Sequence, residues 1–189
     1  MDQFNYLTVL VSIILGLGIT QLLTGLGRML QNRERVRLYW PTIGSVLNLI
    51  VIHVLWWWTL FELRAGTDWT FPGFMSVLLG PIVLYLLSAL VLPDFGDAVP
   101  DDLKSHYYAN SRWFYGLCVL LVGATFLREL VLDGDIDRDL DTAIKLVFAA
   151  VFAIAATTRK VRYHEVLVAV NVALLAVYIG VLFNHMPGR

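Results

Sequence analysis

The chain has 189 residues, 58% of them hydrophobic and 15% charged, with a net charge of −1. Soluble domains carry about 25% charged residues, and no soluble fold of this length buries so much apolar surface, so lipid must take part of it. The near-zero net charge excludes the global basic field that attracts nucleic acid, and the lone cysteine, Cys118, excludes an intrachain disulfide and any multi-cysteine metal site.

A membrane-crossing helix needs about 20 predominantly apolar residues. The first such stretch covers residues 4–27. It follows Met1-Asp2-Gln3, which lacks a basic leader, and it is too long for the apolar core of a signal peptide, so it reads as a retained helix. Thr8, Ser12, Gly16, Thr20 and Thr24 recur along it every fourth residue, with Gly18, Gly25 and Gly27 as further small positions. Small residues at this spacing let helices approach closely. On a helix of about 3.6 residues per turn the stripe wraps slowly around the axis. It is expected to be an intrachain packing seam, with a homo-oligomer seam or a pore lining as alternatives.

The second span covers 39–61, with Pro41 in the first turn, where its missing N–H costs nothing. The third covers 71–92, entered by Pro72 and closed by Pro93; Pro81 in its middle deprives the Val77 carbonyl of a helical partner and bends the helix. Residues 100–111 are polar but carry Leu103, Tyr107 and Tyr108, and read as a short interfacial helix. The fourth span, 113–132, ends in Arg128 and Glu129. The fifth, 142–158, is short, with Asp141 as its N-cap and Lys145 in its first turn. These three charges snorkel to the membrane edge. The sixth covers 163–185. The expected fold is one all-α, polytopic membrane domain of six spans over residues 1–189.

Loop charge orients the spans. Arg28, Arg33, Arg35 and Arg37 follow the first helix, Lys104 and Arg112 the third, and Arg159, Lys160 and Arg162 the fifth. These loops therefore face the cytoplasm, and both termini lie outside. Trp40 and Trp113 fall at the inner interface, and Trp56, Trp57, Trp58 and Trp69 toward the outer one, where amphipathic rings prefer to sit.

With each helix oriented, side chains can be compared by depth. Gln21 lies seven residues from Arg28, Asn48 eight from Trp40 and Asn171 eight from Tyr163, so each is roughly 10–12 Å from the cytoplasmic interface. Ser88 and Cys118 lie slightly shallower. A carboxamide in hydrocarbon needs a partner, so this layer is expected to face protein or water. One reading is a cytoplasm-facing vestibule for an ion or small solute, lined by Gln21, Asn48, Asn171, Thr20, Thr24, His53 and Ser88. The other is interhelical hydrogen-bond glue, worth about 0.6 kcal/mol per contact on average.

His53 is the single histidine deep in a span. His185 lies roughly 13 Å from its level, and His106 and His164 fall at the cytoplasmic surface, so a bis-histidine haem within one chain is not expected. A lone buried histidine is usually a hydrogen-bonded core residue, with a proton-linked role open to it. The loop from Asp133 to Asp141 alternates Asp residues, and Asp133, Asp135 and Asp137 are weak calcium candidates. A calcium loop of the EF-hand type needs Gly at its sixth position and Glu at its twelfth; Arg138 and Ile144 stand there, so the loop reads as solvated and acidic. Glu62, Arg64, Arg128 and Glu129 fall at the outer edge and neutralise one another.

No phosphate-binding loop, nucleophile elbow or zinc-protease motif is present, and no charged residue lies near the centre of a span, where coupled pumps commonly keep one. The expectation is a non-enzymatic protein of a bacterial inner membrane with no cofactor. It acts as a passive conduit or binding site for a small solute. The alternative is a structural or accessory subunit of a membrane complex or homo-oligomer; a haem or redox protein is the remote third. Its partners are the lipid bilayer and a second copy or complex subunit, not nucleic acid.

Overall fold

A computed structural model describes residues 3–60, 70–94, 102–136 and 139–184. Six helices make up the fold: α1 (Gln3–Gln31), α2 (Trp40–Thr59), α3 (Phe71–Val91), α4 (Leu103–Leu132), α5 (Leu140–Thr157) and α6 (Val161–Asn184). All six are long and apolar enough to cross a membrane.

Their starts follow from local chemistry. Pro41 and Pro72 occupy first-turn positions of α2 and α3. The Thr70 hydroxyl accepts from the Gly73 N–H, and the Asp102 carboxylate accepts from the Lys104 N–H. These side chains satisfy amides that a helix start leaves without partners. The cap of α5 is Asp139, which accepts from the Thr142 N–H at 2.9 Å, rather than the expected Asp141. Asp141 instead pairs with Lys145 one turn on.

The largest departure from the sequence expectation is α4. The structure has one helix of 30 residues, about 45 Å long, where an interfacial helix over 100–111 and a separate span were expected. Nothing between Ala109 and Trp113 breaks a helix. Leu103, Tyr107, Ser111 and Tyr115 are all buried and recur every four residues, so one inward face continues across the supposed boundary.

Helix α3 is the centre of the bundle, packed against α1, α2 and α4. Pro81 and Gly80 are both buried within it, and the helix runs through Pro81 without a break. Lipid tails are as apolar as leucine, so tight packing rather than water exclusion must hold such helices together. Two glycines make that packing possible. A methyl group at Gly80 would overlap the Trp56 ring, and one at Gly18 would overlap the His53 ring. The inward face of α1 is Phe4, Leu7, Val11, Leu15, Leu22 and Met29, all buried.

The ends of the helices alternate as the loop charges require. Arg28 pairs with Asp94 at 2.6 Å, joining the ends of α1 and α3. The Leu103 N–H donates to the Arg37 carbonyl at 3.2 Å, tying the α1–α2 loop to the start of α4. The Tyr163 hydroxyl donates to the Val151 carbonyl at 2.9 Å, joining the start of α6 to the last two turns of α5. Arg33, Arg35, Arg37, Lys104, Arg112, Arg159, Lys160 and Arg162 are exposed around this end, called the basic end below. Helix α5 packs chiefly on α4 and α6 chiefly on α2, so these last two helices make little contact along their lengths.

Candidate functional site

Two buried histidine sites and one exposed polar face concentrate the chemistry of this chain. The first site is His53 on α2. It is fully buried, between Gly18 of α1 and Ser88 of α3. Its Nδ1 lies 2.7 Å from the Leu49 carbonyl. A carbonyl only accepts, so Nδ1 carries the hydrogen and Nε2 is left as the acceptor. The Ser88 hydroxyl has one hydrogen, which it gives to the Leu84 carbonyl at 2.9 Å, with Nε2 at a longer 3.4 Å. The sequence reading named both residues, and the structure brings them together in a closed, packed setting.

The second site was not anticipated. His164, expected at the surface, is fully buried at the basic end, with Tyr107, Tyr108, Tyr115 and Tyr163 ringed around it at centroid distances of 5.2–5.9 Å. Its Nε2 donates to the Thr158 carbonyl at 2.9 Å. Nδ1 must then accept, and it takes the Tyr107 hydroxyl hydrogen at 3.3 Å. Having given its own hydrogen away, the Tyr107 oxygen accepts from Tyr115. The polarity of the chain Tyr115 to Tyr107 to His164 to Thr158 is thus set by the carbonyl at its end. It ties α4 to the α5–α6 connection. Beside it, Tyr39 bonds Tyr108 through their hydroxyls at 3.1 Å. Burial pushes the Tyr39 hydroxyl above its ordinary pKa, and the bond to Tyr108 adds to the shift, so Tyr39 stays neutral. Lys104 stands 5.6 Å over its ring, within cation–π range.

His106, also expected at the surface, is half-buried. Its Nε2 donates to the Leu90 carbonyl at 3.2 Å, one of the last-turn carbonyls of α3 that has no helical partner. Asn110 donates to the His106 carbonyl at 3.1 Å. A small cleft opens here, lined in part by Ser45, His106, Asn110 and Ser111.

The three carboxamides of the expected layer differ in setting. Gln21 is exposed on the flank of α1, while Asn48 and Asn171 are half-buried. No hydrogen bond joins them among the described residues. Asn48 lies one turn beyond Gly44, against which Val168 and Val172 of α6 pack, so its neighbourhood is the α2–α6 contact.

The small-residue stripe is not an internal seam over its inner half. Thr8 and Ser12 are half-buried beside α2, where Ser12 accepts from the Trp57 indole at 3.2 Å. From there the stripe drifts outward: Gly16, Thr20 and Thr24 are exposed, and nothing lies within 4 Å of a Cβ built on Gly16. At 100° per residue, these three positions fall opposite the buried face. The Thr20 hydroxyl donates to the Gly16 carbonyl at 2.8 Å.

At the other end, Lys145 bridges Glu129 and Asp141; Glu62 and Arg64, the expected neighbours of Glu129, lie outside the described residues. In the acidic loop the Asp135 carboxylate accepts from the Ile136 N–H at 2.7 Å. No group of three or more His, Cys, Asp or Glu able to hold a metal occurs among the described residues; Asp137 and His185 lie outside them.

What the sequence reading missed is the tyrosine cage. The signal was present in the spacing Tyr107, Ser111, Tyr115, Cys118, a single helical face visible once α4 is read as unbroken. In comparisons with protein-family models, curated proteins and solved structures, nothing matches this chain.

Proposed function

We propose that this chain is a subunit of a membrane assembly, joined to a second copy of itself across the outward face of α1. The observation that carries this reading is Gln21. Its side chain is exposed in the middle of a helix that is apolar enough to span a membrane, and a carboxamide facing hydrocarbon without a partner costs about 2–7 kcal/mol. Thr20 already satisfies its hydroxyl on its own helix, but Gln21 has no such bond among the described residues. A carboxamide both donates and accepts, so the same group on a second copy is a suitable partner. Gly16 and Gly27, with open space above them, let the two backbones come close.

A solute-conducting role fits the same seam better than the interior of one chain. His53 and Ser88 are packed shut, whereas Thr20 and Thr24, with Gln21 on their flank, form a polar lane outside the bundle, continued by the groove of Asn5, Thr8 and Ser12. On this reading the lane between copies lines a passive path for a small polar solute. The setting would be a bacterial inner membrane, with the basic end in the cytoplasm and both termini outside.

Cysteine crosslinking tests the proposal. In a Cys118→Ser background, Thr20→Cys and Thr24→Cys are expected to form disulfide dimers in native membranes. Ile82→Cys, exposed on α3, is expected to stay monomeric. A monodisperse monomer in mild detergent, with no crosslink from either α1 position, would sink the reading.

A further inference from the structure

We infer that the cleft at the basic end, between the start of α2, the end of α3 and the first turns of α4, is a binding site for one resident water, which bridges α2 to α4. Three independent features lead there. The first is a hydroxyl without a protein partner. Ser45 lines the cleft, is only 7% exposed, and has no hydrogen-bond partner among the described residues. Its Oγ is not among the fully enclosed unpartnered atoms, so it stays open to the cleft, where it can find a partner.

The second is what the other walls still offer. Asn110 commits its amide hydrogens to the His106 carbonyl and ring, which leaves its Oδ1 as a free acceptor. Ser111 gives its hydrogen to the Tyr108 carbonyl and keeps its lone pairs. His106 is held on Leu90. A guest must therefore donate to Asn110 and Ser111 while accepting from Ser45. No Asp, Glu, Lys or Arg lines the cleft, so nothing there balances an ion, and an unpaired ion out of water is costly.

The third is size. The free space is about 10 Å³, which is room for about one water. Water is the molecule of that size that donates twice and accepts. Thr42 lies one turn from Ser45 on the same face of α2, is fully buried, and also has an unpartnered hydroxyl among the described residues. Polar groups on this side of α2 are thus short of protein partners.

Radiolytic hydroxyl-radical labelling of the full chain in lipid nanodiscs tests the site, because a water held against an aromatic ring generates radicals there. Tyr107 lines the cleft and Tyr115 does not; their exposures are 7% and 2%. Tyr107 is expected to label several-fold faster than Tyr115. Ser45→Val, which fills the space and removes the unpartnered hydroxyl, is expected to bring Tyr107 down to the Tyr115 rate while leaving Tyr6 unchanged. Should Ser45→Val not fold, Ser111→Ala serves as the second variant, with a smaller fall in Tyr107 labelling. Equal rates for Tyr107 and Tyr115 in the wild type, or no change in a folded variant, overturn the proposal. So does an experimental structure that resolves waters and shows the Ser45 hydroxyl turned onto the Pro41 carbonyl beside an empty cleft.

Discussion

Replacing Tyr107 with Phe removes one oxygen and leaves the ring, so packing around His164 is kept while the hydrogen-bonded chain is cut in its middle. Two bonds go at once. His164 Nδ1 loses the donor at 3.3 Å, and the Tyr115 hydroxyl loses its acceptor. Both groups are buried. A bond of this kind between membrane helices is worth about 0.6 kcal/mol on average and up to about 1.7, and a buried orphan costs about 1–3. The loss for Tyr107→Phe is therefore expected at about 1–3 kcal/mol. Tyr108→Phe removes a single bond, to Tyr39, in a half-buried setting, and is expected to cost about 0.5–1 kcal/mol. Equilibrium unfolding in mixed micelles gives both numbers. The double variant Tyr107→Phe/Tyr115→Phe discriminates further. Since Tyr115→Phe removes one of the orphans that Tyr107→Phe creates, the pair is expected to cost less than the sum of the single changes. A neutral Tyr107→Phe, or strict additivity with Tyr115→Phe, would refute the directed chain.

Four further outcomes are expected. Gly80→Ala drives a methyl into the Trp56 ring and should cost about 1–3 kcal/mol in the same unfolding assay. A Cβ at Gly16 meets nothing within 4 Å in the monomer, so Gly16→Leu should not destabilise the monomer and should lower the crosslinking yield across α1. Lys145→Met strands Glu129, whose side chain is 19% exposed, and should destabilise by about 1–3 kcal/mol, whereas Asp141→Ala, on the exposed side of the same cation, should cost under about 1 kcal/mol. Asp139 is held below its usual carboxylate pKa chiefly by the Thr142 N–H that it accepts. A depressed folded value contributes stability above the unfolded pKa of about 4 and loses it as pH falls through the folded value. Hydrogen exchange in the first turn of α5 should therefore accelerate, relative to the other helices, as pH drops below about 4, and Asp139→Ala should show the faster exchange at every pH.

Hydropathy and loop charge were enough for six helices, because a span is a property of about 20 consecutive residues and needs no knowledge of neighbours. Depth was legible only in part: helical rise turns residue number into distance, but that ruler put His53, thirteen residues from Trp40, deeper than Ser88, and the structure brings the two within 3.4 Å. Azimuth was not legible. Gln21, Asn48 and Asn171 share a depth, but which way each faces depends on which helices pack together, and α1 turns Gln21 outward. The stripe from Thr8 to Thr24 illustrates the same limit. Its four-residue repeat was plain, while its destination on the exposed face depended on Phe4, Leu7, Val11 and Leu15 taking the inward one. His164 was misplaced because a residue in the first turn of a helix reads as surface, and only the arrival of three tyrosines from α4 covers it.

The arrangement of α3 among its neighbours sets an order on assembly. Three of the four helices that make up the packed centre leave the ribosome before α4, and α4 completes it. Helix α6 follows the other five and brings His164, whose acceptor nitrogen Tyr107 requires. Until then the hydroxyls of Tyr107 and Tyr115 have only one another. The sixth helix thus supplies the missing partner for the tyrosines of α4, so a chain truncated before α6 leaves its basic end chemically marked as unfinished.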